Sequence, residues 1–210
     1  MNVPTTRAVV VGIVALVAVI GAVGVGGALG PASTFAQVDD GPVNLGDVEV
    51  SAAEAVEIAE GESDGTAVEL EAFTSILSGL PVWEVEFVDE NGNETEVYVD
   101  GTSGDVLNVE TEPADADEAD DEDEANASLV EVPLRDAVVI AEGEVDGGVA
   151  VEGELFPARV DGTPVWEVEV VSADGDETEV YVDATNGDVL DVQTESPDGD
   201  DEDDEEEEDD

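Results

Sequence analysis

Residues 81–112, PVWEVEFVDENGNETEVYVDGTSGDVLNVETE, are spelled again at 164–195 as PVWEVEVVSADGDETEVYVDATNGDVLDVQTE, with 23 of the 32 columns identical at a constant offset of 83. Shared acidity does not produce that agreement, so the chain carries an internal duplication and must fold the same unit twice. Within each copy apolar and acidic residues alternate, the period of a strand with one wet face. Trp83, Val85 and Phe87 fall on one side and Glu84 and Glu86 on the other; Trp166, Val168 and Val170 repeat this against Glu167 and Glu169. Asp89-Glu90-Asn91-Gly92-Asn93 supplies a turn, Asn-Gly being a strong hairpin signal. A second strand sets Thr95, Val97 and Val99 against Glu96, Tyr98 and Asp100, and turns at Gly104 and Gly187 lead into a third over 105–111 and 188–194.

The duplication continues upstream. Residues 50–61, VSAAEAVEIAEG, match 132–143, VPLRDAVVIAEG, at an offset of 82. Ala52, Ala55, Val56 and Ala59, like Leu134, Ala137, Val138 and Ala141, recur at i, i+3, i+4, i+7, the stripe of a helix with one buried face. Ser51 with Glu54 forms a capping box, Pro133 suits a helix start, and Gly61 and Gly143 stand where a left-handed C-terminal residue is wanted. Thr66–Phe73 and Val149–Leu155 read as one further strand each. The unit is therefore one helix followed by four strands, over roughly 65 residues, a size that can just fold alone.

This order, an Ala-rich helix with an A-x-x-I-A core, a V-W-E-V-E strand, a D-G or N-G turn and an E-V-Y-V-D-(x)3-G-D-V-L ending, resembles the PepSY domain of thermolysin-type peptidase propeptides. The resemblance covers about 48–112 and 130–195. It implies an α+β fold in two tandem repeats, each a helix packed on a small, somewhat cystatin-like antiparallel sheet of about four strands. It also implies a part in restraining or modulating peptidases, and no catalytic residues.

Charge narrows the function further. Fifty-nine acidic residues stand against three basic ones, Arg7, Arg135 and Arg159, for a net charge of −56. Nucleic acid and anionic membrane surfaces are repelled. Without His or Cys there is no imidazole base, thiolate nucleophile or zincin-type helix, so no catalytic residue, cofactor or ordered metal site is assigned. On the outer sheet face Glu84 and Glu86 neighbour Glu96 and Asp100, and like charges on adjacent strands destabilise. Salt near 1 M shortens the Debye length to ~3 Å and removes most of that strain. A lysine-free chain with acids coating its folded repeats is expected from an extreme halophile. Paired carboxylates such as Glu84 and Glu86 read as a solvated face, since nothing in the sequence desolvates them.

Six segments follow. Residues 1–37 are a signal peptide or membrane anchor: Arg7 precedes a charge-free run from Ala8 to Leu29, and Thr34-Phe35-Ala36 offers a cleavage site. The chain beyond is expected outside the cell, membrane-tethered or secreted. Residues 38–47 are a spacer, 48–112 the first repeat, 113–129 an acidic disordered linker, 130–195 the second repeat and 196–210 an acidic tail. The acidic runs lack the spaced ligands of a calcium loop and hold hydrated cations only loosely. Asn93 and Asn126 head two N-glycosylation sequons.

Trp83 and Trp166 recur on the apolar face and are expected in the core. Tyr98 and Tyr181 lie on the acidic face and are the candidate partner contacts. The expected function is a non-catalytic extracytoplasmic module binding an extracellular peptidase; the alternative is an acidic envelope component that retains hydrated cations.

Overall fold

The computed structural model describes residues 44–75, 78–114, 127–156 and 163–195. The apolar run at 8–29, residues 115–126 of the linker with Asn126, and the acidic tail lie outside them; at the end of the segment expected to be disordered, Ala127 is instead buried against the core. No helix among the described residues is long and apolar enough to cross a membrane.

Helix α1 spans Ala52–Ala59 and is followed by strands β1 (Thr66–Thr74), β2 (Pro81–Val88), β3 (Glu94–Asp100) and β4 (Val106–Glu112). Helix α2, Leu134–Glu144, is followed by β5 (Val149–Phe156), β6 (Val165–Val171), β7 (Glu177–Asp183) and β8 (Val189–Glu195). At α1 the Ser51 hydroxyl accepts from the Glu54 N–H, and the Glu54 carboxylate accepts from the Ser51 N–H at 3.1 Å. The second helix begins after Pro133 with no side-chain cap. The glycines expected to end the helices in a left-handed conformation do not. Gly143 lies inside α2, and positive φ is found instead at Gly79, Gly92, Gly104, Gly147, Gly175 and Gly187. Because no non-glycine residue among the described residues has positive φ, the Asp89–Asn93 turn is not the two-residue Asn-Gly type. Gly92 alone supplies the left-handed step.

The two repeats do not form two small sheets. Their strands join in one eight-stranded antiparallel sheet of order β4-β3-β2-β1-β5-β6-β7-β8. The junction is β1 against β5, with Glu69 opposite Glu154, Leu70 opposite Gly153 and Glu71 opposite Glu152. Since Leu70 and Gly153 are equivalent positions of the two copies, the repeats are related by a pseudo-two-fold axis passing between them. Both helices pack on one face, side by side and antiparallel. Arg135 in the first turn of α2 meets Glu60 at the end of α1, 3.4 Å away.

The apolar stripes anticipated from helical periodicity are the buried ones, Ala52, Ala55, Val56 and Ala59 on α1 and Leu134, Ala137, Val138 and Ala141 on α2. They pack on Trp83, Val85, Phe87, Val97 and Val99 of one repeat and Trp166, Val168, Val170, Val180 and Val182 of the other, in a single continuous core. Between helices and sheet the described residues share one core in place of two marginal ones, and the joining of β1 to β5 pairs the strand edges each repeat would otherwise expose. Each tryptophan also ties sheet to helix. The Trp83 indole donates to the Val50 carbonyl at 2.9 Å and the Trp166 indole to the Val132 carbonyl at 2.8 Å, each just ahead of its helix.

At the axis the symmetry is broken by size. Leu70 is fully buried, whereas a Cβ on Gly153 would lie 2.9 Å from Leu134 Cδ1. Leu134 occupies the helix position held by Ala52 in the first copy. One half therefore fills the space with a strand leucine and a helix alanine, the other with a strand glycine and a helix leucine.

Candidate functional site

The face of the sheet away from the helices carries two cross-strand rows. One runs Glu110, Glu96, Glu86, Glu69, Glu154, Glu167, Tyr181, Asp191 from β4 to β8. The other runs Asn108, Tyr98, Glu84, Glu71, Glu152, Glu169, Glu179, Gln193. The pseudo-two-fold axis exchanges the rows, so the strand alternation seen in each copy is continued across the junction.

This face is not simply solvated. Glu84 is half-buried; burial, then the neighbouring carboxylates of Glu96, Glu71 and Glu69, push its pKa up to about 8. Burial first, then the carboxylate of Glu71, pushes Glu152 up to about 7, and burial followed by Glu152 does the same to Glu169. Glu169 Oε1 is buried without a hydrogen-bond partner, a costly state for a charged oxygen that protonation relieves. The row thus lowers its repulsion by holding protons near neutral pH. The reading of Glu84 as one of a fully solvated pair is corrected accordingly. Its immediate cross-strand partners are Tyr98 and Glu71, with Asp100 set opposite Val82 instead.

The two tyrosines have diverged. Tyr98, expected to be an exposed contact, is only 5% exposed. It packs edge-on against Phe73, ring centroids 6.3 Å apart, over Val82, and its hydroxyl donates to Glu96 at 2.7 Å. This small apolar cluster lies on the acidic face because Phe73 continues the alternation of Glu69 and Glu71. Tyr181 donates to Glu179 at 2.8 Å in the same way. Around it, however, the corner is open: Phe156, Val165, Glu167, Tyr181, Leu190, Asp191 and Gln193 line a cleft of about 350 Å³. That is the scale of a small-ligand site. The second aromatic of each corner, Phe73 or Phe156, was not singled out from sequence; its signal is an apolar residue on the polar side of an alternating strand.

The first hairpin is a self-contained turn. The Asp89 carboxylate accepts the N–H groups of Asn91 and Asn93 and the Asn93 side-chain amide at 2.8 Å. Those bonds, the Asn93 side chain first, pull its pKa down to about 2. Asn93, a candidate glycosylation site, is half-buried, and its side-chain carbonyl accepts from the Ala114 N–H at 3.3 Å.

No curated protein sequence matches the chain. Two solved structures bear a distant likeness. A lipoprotein from Clostridium difficile 630 has 24% identity and a TM-score of 0.43, over 71% of this chain and 95% of that one. The YpmB protein from Bacillus subtilis has 21% identity and a TM-score of 0.27, over 67% and 94%. The family of the peptidase propeptide and YPEB domain, PepSY, matches residues 49–110 and 131–193, which are the two helix-and-four-strand units. The chain belongs to the PepSY family, with two copies of its domain in tandem.

Proposed function

We propose that this protein is a non-catalytic, extracytoplasmic binding module that modulates or restrains an extracellular peptidase. The observation that carries this reading is membership, twice over, of a family defined by peptidase propeptides. The fold supports it physically: both helices cover one sheet face, and the other carries the cleft beside Tyr181. Export rests on the charge-free run from Ala8 to Leu29, and the halophilic setting on a net charge of −56 without a lysine. In molar salt affinity must come mainly from apolar contact, which the cleft supplies and the carboxylate rows do not.

The test is to titrate the full chain into a thermolysin-type extracellular peptidase from the same cell at molar salt. Slower hydrolysis or greater thermal stability of the peptidase is expected. No change in its rate, stability or secretion yield would sink the proposal and favour the envelope role, in which the carboxylates hold hydrated cations at the surface.

A further inference from the structure

The cleft in the second repeat has a counterpart that the first repeat has closed. Phe73, Val82 and Tyr98 are buried against one another, whereas Phe156, Val165 and Tyr181 are half-buried and Leu190 is 54% exposed. The polar rim has changed with the opening. In the first repeat Asn108 stands opposite Tyr98 and donates to Glu110 at 2.7 Å. In the second the acid and the amide are exchanged: Asp191 stands opposite Tyr181 and accepts from Gln193 at 3.1 Å. The carboxylate has moved inward, to the mouth of the open cleft. Strand β8 is also the end of the sheet, and among the described residues nothing pairs with its outer side.

From these observations we propose that the β8 edge and its cleft bind an extended protein segment that presents an arginine. The inference rests on the binding-module reading above and gives that module's partner a chemistry. A ninth strand would continue the row Glu167, Tyr181, Asp191, and its residue opposite Asp191 would sit at the cleft mouth. A guanidinium there meets a carboxylate for its head, and aromatic and aliphatic walls for its stem and flat faces. An anionic side chain is repelled by Glu167 and Asp191. A purely apolar one desolvates Asp191 and offers its carboxylate no compensating charge. The β4 edge offers neutral Asn108 at the equivalent place and a closed corner behind it, so the two edges of one sheet differ in what they accept.

The test measures anisotropy of a labelled peptide, acetyl-Thr-Val-Arg-Val-Thr-amide, with the full chain in molar potassium chloride. Its citrulline twin keeps the shape and removes the charge. Saturable binding of the arginine peptide is expected, with the twin weaker by about ten-fold. The exchange Asp191→Asn with Gln193→Glu, which copies the first repeat's rim, should weaken binding by a similar factor. The reciprocal Asn108→Asp with Glu110→Gln should leave it unchanged. Both exchanges keep the net charge and touch only the sheet edge, and circular dichroism verifies that they fold. Equal affinity for the citrulline peptide, indifference to the β8 exchange, or equally tight binding of acetyl-arginine amide alone would each overturn the proposal. Peptide binding without any effect on a peptidase would leave this inference standing while removing the peptidase reading. Slowing of a peptidase equally by wild type and the β8 exchange would do the reverse.

Discussion

Glu84 stands directly opposite Tyr98 in the β2–β3 ladder, the glutamate half-buried and the tyrosine only 5% exposed. Burial and the adjacent carboxylates raise its folded pKa to about 8 against an ordinary 4.5. The folded state therefore holds more protons than the unfolded chain between those values, and stability falls as pH rises through that window and levels off above it. Glu152 and Glu169, both near 7, act in the same direction. Denaturant midpoints measured from pH 5 to 9 at constant molar salt should decline. Glu84→Gln should flatten the profile and be more stable than wild type at pH 9 by about 1–3 kcal/mol. A profile that rises with pH would contradict the assignment.

The junction places Glu69 and Glu71 opposite like charges on both sides, Glu86 and Glu154 for one and Glu84 and Glu152 for the other. At ~10 mM salt the Debye length reaches ~30 Å and these repulsions are hardly screened. Folding followed by Trp83 and Trp166 fluorescence should need salt near molar. A cooperative transition that persists at ~10 mM would show that proton sharing alone is enough.

Packing at the axis gives a compensation experiment. Gly153→Leu drives a side chain into Leu134 and should cost about 1–3 kcal/mol or more. Leu134→Ala should cost about 2–5 kcal/mol by leaving a cavity. The double variant restores the arrangement of the first repeat, Leu70 with Ala52, and is expected to lose clearly less than the sum. Additive losses in urea unfolding would show that the two sites do not share that space.

Trp83→Phe and Trp166→Phe remove the indole donors to Val50 and Val132 and leave a buried carbonyl in the first repeat and a half-buried one in the second short of a partner. Each should cost about 1–3 kcal/mol at equilibrium, the Trp83 variant the more because its acceptor is the more deeply buried. Since both helices share one core, either variant should lower a single unfolding transition. A second transition appearing in calorimetry would mean that the repeats unfold separately.

The amino-acid pattern reveals nearly all of the local structure. Apolar spacing located both helix stripes, and strand alternation found all eight strands to within a residue or two at their ends. The Ser51–Glu54 box was equally plain. The union of the sheets was not legible, because β1 and β5 alternate like any half-buried strand and nothing in Glu69 to Glu71 says which neighbour it will meet. Nor was the raised pKa of Glu84, which follows from its burial and from the carboxylates of Glu96, Glu71 and Glu69 that the sheet gathers around it. Tyr98 and Tyr181 occupy identical sequence contexts, EVYVD in both, yet one is buried and the other lines a cleft. Their difference lies in neighbours across the sheet, which local periodicity does not encode. For the same reason Tyr98→Ala would report on folding, and Tyr181→Ala is the variant suited to binding.

The near-symmetry about Leu70 and Gly153 carries an evolutionary meaning. Two identical subunits meeting at a two-fold axis receive every mutation twice, so leucine must face leucine or glycine must face glycine, and a corner opened on one side is opened on the other. Duplication within one chain lifts that restriction. Each copy can drift alone, one settling into a plug that secures the sheet while its twin is free to specialise for recognition.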